Sequence, residues 1–168
     1  GSLGNWEYAG DVNATYTDYN QGAAEDVEYN LYLDGLKVGD APQTSGFVSV
    51  TATPIKELSV KLDYRGYTDF YSDFSATGRT DASDRVQSWE IPSYGVTDLH
   101  VFYNVPNKSN SFSITLFAHI FNLFDNLYIQ DAEDNSRFNG FDNDHDADDA
   151  EVFFGMPRNF NSGIRVNF

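Results

Sequence analysis

Four aspartates at alternate positions form the densest set of hard oxygen ligands in the sequence. They are Asp142, Asp144, Asp146 and Asp148. They lie in the segment 131–151, which carries about nine carboxylates and one basic residue, Arg137. Such a run suits Ca²⁺, but it departs from an EF-hand loop because Ala147 stands where the turn glycine should be and Phe153 where the bidentate glutamate should be. The segment is therefore either a Ca²⁺ site or a solvated acidic loop at the surface.

A second segment mixes aromatic rings with guanidinium groups, as binding surfaces often do. The candidate ligand-binding residues in it are Tyr71, Arg79, Arg85 and Trp89. The alternative is structural, with both aromatic rings at a membrane interface and both arginines paired with neighbouring aspartates. Those aspartates are Asp69, Asp73, Asp81 and Asp84.

Three histidines, His100, His119 and His145, raise the possibility of acid–base catalysis. Their spacing does not match that of a metal hydrolase, and no serine occupies a nucleophile elbow. We therefore predict no catalytic residues and no enzymatic activity. A hydrolase site at the mouth of a barrel is the weakest of the alternatives.

The composition excludes several classes of protein. The formal charge is -16, with 26 acidic and 10 basic side chains, and such a surface repels the phosphates of nucleic acid. The absence of cysteine rules out disulfides and thiolate metal sites. No run approaches the ~18 apolar residues that a membrane-spanning helix needs. The aromatic share of 16% favours strands.

Apolar and polar residues alternate along most of the chain, which predicts strands with one apolar face. In the clearest case, the even positions of the segment 58–64 are Leu, Val, Leu and Tyr, whereas the odd positions are polar. The same pattern occurs in the segments 6–16, 27–33, 48–52, 99–105, 112–120 and 160–168. We therefore predict an all-β chain of about eight antiparallel strands.

The predicted connections alternate in length. Short links at 54–57 and 106–110 are interleaved with long links at 34–43, 70–93 and 131–158. A transmembrane β-barrel has short periplasmic turns and long extracellular loops. A soluble β-sandwich is the alternative, since its strands also alternate. Charged residues on one predicted face, including Lys61, Asp63, Arg65, Asp98 and His100, favour the barrel because they suit a wet lumen.

The C-terminus carries a motif of its own. Gly163, Ile164, Val166 and Phe168 give a glycine, alternating apolar residues and a terminal aromatic residue. This pattern resembles the β-signal by which outer-membrane proteins are recognised by the barrel assembly machinery. The apolar residues would form the lipid-facing stripe of a last strand, and the glycine would let a neighbouring strand approach closely.

Further motifs extend the resemblance over nearly the whole chain. The string FNLFDNLY at 121–128 and the string GMPRNF at 155–160 resemble the last two strands of TonB-dependent receptors. Upstream, GLKVGDAPQ at 35–43 resembles a loop before a strand pair, and residues 4–12 resemble an earlier barrel strand. The chain is similar to the C-terminal part of such a receptor, residues 1–168 forming one portion of the barrel.

The resemblance implies a barrel of about 22 strands that is filled by an N-terminal plug. The plug and its TonB-contacting segment are expected outside this chain. The implied function is active import of a scarce nutrient across the outer membrane of a Gram-negative bacterium. The ligand stays open among an iron chelate, a cobalamin, an oligosaccharide and a peptide. Other implied partners are outer-membrane lipid and a surface lipoprotein. The alternative is a small complete barrel of about eight strands, acting as an adhesin or structural protein.

Overall fold

The computed structural model describes residues 1–19, 24–107, 112–134 and 144–168. These residues form an all-β structure with antiparallel sheets and one short 3₁₀ turn at Ala76–Gly78, which confirms the predicted class. No helix in the described part of the chain has the length and apolar character needed to cross a membrane.

Twelve strands occur in the described residues. In chain order they are β1 (Ser2–Leu3), β2 (Val12–Asp18), β3 (Glu25–Leu31), β4 (Thr44–Ile55), β5 (Leu58–Thr68), β6 (Phe70–Tyr71), β7 (Glu90–Ile91), β8 (Tyr94–Asn104), β9 (Ser113–Phe121), β10 (Ile129–Asp134), β11 (Ala150–Phe154) and β12 (Asn159–Asn167).

Six of these strands form one sheet, which we call the main sheet. Its order is β1-β4-β5-β8-β9-β12, and every neighbouring pair is antiparallel. The remaining strands form three separate two-stranded sheets, β2–β3, β6–β7 and β10–β11. Five of the six main-sheet strands have 9 to 12 residues, which is the length that a tilted strand needs to cross a bilayer.

The connections of the main sheet separate by length between its two ends. The two-residue turn 56–57 and the link 105–112 lie at one end. The links 32–43, 69–93 and 122–158 lie at the other end, beyond the pair Thr44–Thr68 and the pair Phe121–Asn159. The predicted grouping of long and short links is therefore confirmed.

Two details of the sequence prediction were wrong. The main sheet has six strands rather than about eight, because β2 and β3 pair only with each other. The first predicted strand, 6–16, begins only at Val12, since Trp6 to Asp11 follow an irregular path with a single bridge from Glu7 to Lys37. The described strands leave the sheet open at both edges and do not close a barrel.

Both clusters of buried apolar side chains lie beyond the long-link end of the sheet. We call the described residues of 5–43, 69–93 and 122–158 the cap. One cluster in the cap contains Leu31, Leu33, Leu36 and Phe74. A second cluster contains Phe70, Ile91 and Ala132, with Trp89 packed against it. Burial of these side chains holds the long links together as a folded layer.

A close backbone contact also ties the cap together. A Cβ atom on Gly39 would come within 2.5 Å of the Cα atom of Asp73, so only glycine fits at this crossing. The Asp73 amide donates to the Ala132 carbonyl at 2.9 Å, and the Asp134 amide donates to the Asp73 carbonyl at 2.7 Å. All three long links therefore meet around Asp73.

Candidate functional site

One face of the main sheet is apolar across five strands. Side chains on neighbouring strands share a face when their residues are paired, because orientation alternates with a period of two. One continuous paired row is Val50, Leu62, Leu99, Ile120 and Phe160. The next row of this face towards the short-turn end is Ala52, Val60, Val101, Ala118 and Ser162.

This apolar face is open. Val50 is 60% exposed, Ile164 is 67% exposed and Phe160 is 83% exposed. A β-sandwich would cover such a face with a second sheet, and none of the described strands packs on it. Apolar surface of this extent is rare on soluble monomers and marks a site of contact with a membrane or with another protein.

The residues of the predicted assembly signal lie in and directly after β12, at the sheet edge. Ile164 pairs with Leu116 and Val166 pairs with Ile114, so both belong to the apolar face. Phe168 follows the strand and is fully exposed. Gly163 lies on the opposite face, where a Cβ atom would come within 2.6 Å of the Phe117 ring. It therefore makes room for an aromatic side chain of the neighbouring strand β9.

The other face of the main sheet is polar and internally paired. Lys61 bonds Asp63 at 2.8 Å, and Arg65 bonds Asp98 at 2.6 Å. His100 contacts Asp63 through Nε2 at 3.2 Å, and its Nδ1 lies 2.8 Å from Nδ1 of His119. The predicted placement of charged residues and two histidines on one face is confirmed.

A cleft opens on this polar face at its long-link end, beneath the cap. It consists of two cavities of about 330 and 360 Å³ that share four lining residues. The shared residues are Arg65, Val96, Tyr128 and Gln130. Tyr94 stacks on Tyr128 with 4.6 Å between ring centroids and lies 5.1 Å from Tyr67.

The cap contains a buried ion cluster made of Arg79, Asp84, Asp134, His145 and Asp149. Arg79, Asp134, His145 and Asp149 are each at least 96% buried. His145 contacts Asp134 through Nδ1 at 2.6 Å and Asp84 through Nε2 at 2.8 Å. Arg79 lies 2.7 Å from Asp84 and 3.5 Å from Asp134. The cluster therefore joins the link 69–93 to the link 122–158.

Opposing electrostatic effects act on Asp134 in this cluster. Burial raises the pKa of Asp134, and the neighbouring His145 and Arg79 oppose that rise. Asp149 accepts a hydrogen bond from the His145 amide at 2.9 Å. One carboxylate oxygen on Asp134 and one on Asp149 have no partner in the described part of the protein. Loss of the Arg79 guanidinium would leave buried negative charge uncompensated.

The four predicted ligand-binding residues do not share one surface. Arg79 is buried in the ion cluster, and Trp89 packs against the core of the cap. Arg85 bonds Asp11 at 2.6 Å, a partner that the sequence prediction did not include. Tyr71 lies half-buried in β6, where burial raises its pKa. Ligand contact by these residues stays a prediction, and their described contacts are structural.

The acidic segment is described only in part. Asp142 lies outside the described residues. The carboxylate oxygens of Asp144, Asp146 and Asp148 lie within 4.8 Å of one another, and all three side chains are exposed. Three carboxylates are fewer than the 6–8 oxygen ligands that Ca²⁺ takes, so water would complete the coordination. Calcium binding here stays a prediction.

A separate acidic pocket of about 180 Å³ is lined by Asp40, Asp73, Asp131 and Glu133. The pKa of Asp40 is raised to about 6, first by burial and then by a hydrogen bond and repulsion from Asp131. Asp73 and Glu133 add smaller repulsion. The three long links thus meet where their carboxylates repel one another.

The cleft was not predicted from the sequence. Its residues come from the links 32–43 and 122–158 and from the strands β5, β6, β8, β9 and β12, so they are far apart in the chain. One signal could have indicated it. Tyr67 and Tyr94 lie on the polar face on either side of the link 69–93, and they pair directly across β5 and β8.

Comparison of the chain with models of protein families, with curated proteins and with solved structures finds no significant match. Assignment to a family therefore depends on the sequence motifs and on the geometry of the sheet and cap.

Proposed function

We propose that this chain is the C-terminal wall of an outer-membrane β-barrel, of the kind found in TonB-dependent receptors, and that the whole protein imports a scarce nutrient. The observation that carries the proposal is the pair of opposite faces on the main sheet. An exposed apolar face backed by an ion-paired polar face suits a wall between lipid and a wet lumen.

Contact between two sequence motifs supports the receptor family. Asn122, in the string at 121–128, donates from its side-chain amide to the Met156 carbonyl in the string at 155–160, at 3.1 Å. The amide of Arg158 donates to the Asp125 carboxylate at 2.8 Å. Asn122 and Asp125 both have positive φ, of 51° and 57°, which Asn and Asp tolerate better than most residues. The motif residues thus form one local structure.

The open edges of the main sheet support membership of a larger barrel. Beyond β12 no described strand pairs, and β4 is covered at its outer edge only by the two residues of β1. Unpaired strand edges cannot face hydrocarbon, because each unsatisfied backbone group there costs several kcal/mol. Strands outside this chain would pair with both edges, and ligand would enter from the cap side.

Spin labels on adjacent residues of the main sheet test the wall directly. Labels at Val50 and Ile164 should collide with dissolved oxygen, which partitions into lipid, and labels at Thr51 and Arg165 should collide more with a water-soluble nickel chelate. The measurement uses the protein that contains this chain, in its native membrane. Equal access of the nickel chelate to all four labels would overturn the proposal that the main sheet separates lipid from a wet lumen.

Transport is tested separately. Uptake of the nutrient should stop when TonB is deleted, although the receptor stays in the membrane. Normal uptake without TonB would contradict the proposal that the protein is a TonB-dependent receptor. It would not affect the proposal that the main sheet is part of a barrel wall.

A further inference from the structure

The cleft is electrically neutral in a strongly acidic protein. Its charged lining residues are Arg65 and Asp98, which pair at 2.6 Å. An anionic ligand would approach against the formal charge of -16. A cation would meet Arg65, which lines both cavities. The electrostatics therefore favour an uncharged ligand.

The lining combines aromatic carbon with polar groups that form directional hydrogen bonds. Tyr67, Tyr94 and Tyr128 supply ring surface and hydroxyl groups. Gln130 is exposed, and its side-chain amide has no hydrogen-bond partner among the residues that the structure describes. Such an amide can both donate and accept. A ligand that suits this lining has apolar C–H surface and many hydroxyl groups.

The aromatic part of the cleft is already ordered without a ligand. Tyr94 is held between Tyr67 and Tyr128, and a Cβ atom on Gly155 would clash with the Tyr128 ring. The Asn122 amide fixes the nearby backbone through bonds to Asn126 and Met156. Side chains that are fixed before binding lose little entropy when a ligand arrives.

The size of the cleft agrees with a small ligand. Pockets of roughly 300–1,000 Å³ hold typical small molecules, and the two cavities have volumes of about 330 and 360 Å³. Because they adjoin through shared residues, they can take successive units of one extended molecule.

We propose that the cleft binds a neutral oligosaccharide. C–H faces of the sugar rings pack on tyrosine, because the aromatic face is electron-rich, and sugar hydroxyls bond Gln130 and Arg65. This inference rests on the proposed function, which makes the cap side the side of ligand entry. It selects one class among the nutrients that such a receptor could import.

Binding is measured on the purified protein that contains this chain, in detergent, with an array of labelled neutral oligosaccharides. Acidic oligosaccharides, an anionic ferric chelate and a cationic peptide serve as comparison ligands. Affinity for the best neutral sugar is then determined by calorimetry. Tyr67→Ala and Gln130→Ala should each weaken binding by about tenfold, which is a typical loss for one aromatic or polar contact.

Tyr103→Ala is the matched control, since Tyr103 pairs with Leu58 on the apolar face of the same sheet. It should leave affinity unchanged. The Gln130→Ala variant is expected to fold normally, because the exposed side-chain amide of Gln130 has no hydrogen-bond partner among the described residues. A loss of binding in this variant would therefore not result from misfolding. Binding of a neutral sugar that depends on Tyr67 and Gln130 would support the proposal.

Two results would overturn it. One is no binding by any neutral oligosaccharide, and the other is tighter binding of the anionic or cationic ligand at the same residues. Neither result bears on the spin-label pattern of the wall, so failure of this inference is distinguishable from failure of the proposed function.

Discussion

The Phe117 ring lies where a side chain at Gly163 would begin. A Cβ atom at position 163 would sit 2.6 Å from the tip of that ring, although the two residues pair across β9 and β12 on the polar face. Position 163 therefore requires glycine because the Phe117 ring occupies the space of a side chain there. Overpacking of this kind typically costs about 1–3 kcal/mol.

Gly163→Ala should therefore destabilise the protein, and Phe117→Leu should remove most of that penalty in the double variant. Urea unfolding in lipid vesicles measures both, and the double-mutant cycle gives the coupling. Gly46→Ala is the control, because Gly46 lies in β4 with open space around its Cβ position. Equal effects at both glycines, or additivity with Phe117→Leu, would contradict the steric explanation.

The buried ion cluster predicts a strong effect of His145. His145→Asn removes the group between Asp134 and Asp84 but tolerates the positive φ of 62° at this position. Breaking a buried ionic contact typically costs about 3–5 kcal/mol. Hydrogen exchange in the segments 129–134 and 150–154 should become much faster. The control is His119→Asn, on the polar face of the sheet, which should leave exchange in these segments unchanged. Slow exchange in the His145 variant would show that the ion cluster is not needed for the stability of the cap.

The pattern of the main strands could be predicted because it is local. The alternation of Leu58, Val60 and Leu62 with Ser59, Lys61 and Asp63 depends only on the period of two, and the structure puts these sets on opposite faces. The lengths of the links and the position of the terminal strand could be predicted for the same reason. Alternation does not reveal which strand pairs with which, however. β2 and β3 were therefore predicted to belong to the same sheet as the other strands.

The contents of the cap could not be predicted from the sequence. Arg79 and His145 are 66 residues apart and meet only because two long links fold against each other. Register within those links has no sequence signal comparable to alternation. Short strand pairs such as β6–β7, with two residues in each strand, are stabilised by tertiary packing rather than by local propensity. The cleft was missed because it needs both the sheet and the cap.

Acidic repulsion in the cap predicts a pH dependence. The pKa of Asp40 is about 6 in the folded protein against an ordinary value of 3.8. A raised pKa means that its contribution to stability is fully present below pH 3.8 and is lost as the pH rises through 6. Protonation of Asp40 in mild acid should therefore stabilise the cap around Asp73.

Asp40→Asn should stabilise the cap at about pH 8 and have little effect at about pH 4. The gain is expected below about 1 kcal/mol, because the Asp40 residue as a whole is exposed even though its carboxyl group is partly desolvated, so water screens much of the repulsion. Asparagine also suits the positive φ of 57° at this position. Hydrogen exchange of the segment 129–134 reports the change, with Glu28→Gln in β3 as the control. A gain that is the same at both pH values would exclude charge repulsion as its cause.

A substitution of Phe168 can distinguish a role in recognition by the assembly machinery from a role in lipid contact. Phe168→Asp should strongly reduce the amount of protein in the outer membrane of cells. A charge near the membrane interface costs only about 0–1 kcal/mol, so folding of the purified variant into lipid vesicles should be nearly normal. Asn167→Asp adds the same charge on the polar face and should assemble normally. Equal loss in cells and in vesicles would point to lipid contact and not to recognition by the assembly machinery.

The grouping of links at the two ends of the main sheet predicts sidedness. β12 ends at the short-turn end, with Phe168 beyond it, and a terminal β-signal strand ends on the periplasmic side. The cap should then face the outside of the cell and the turn 56–57 should face the periplasm. The exposed carboxylates of the acidic segment agree, because such charges cost little in water and cannot face hydrocarbon.

Single cysteines test this sidedness cleanly, because the chain contains none. Asp146→Cys in the cap should react with a membrane-impermeant maleimide on intact cells, after any cysteine elsewhere in the protein has been replaced. Lys56→Cys, in the short turn and with a side chain that is 89% exposed, should react only after the outer membrane is permeabilised. Both side chains are accessible in the folded chain, so a difference in labelling reports the membrane alone. The reverse pattern would invert the topology and remove the basis for ligand entry at the cap.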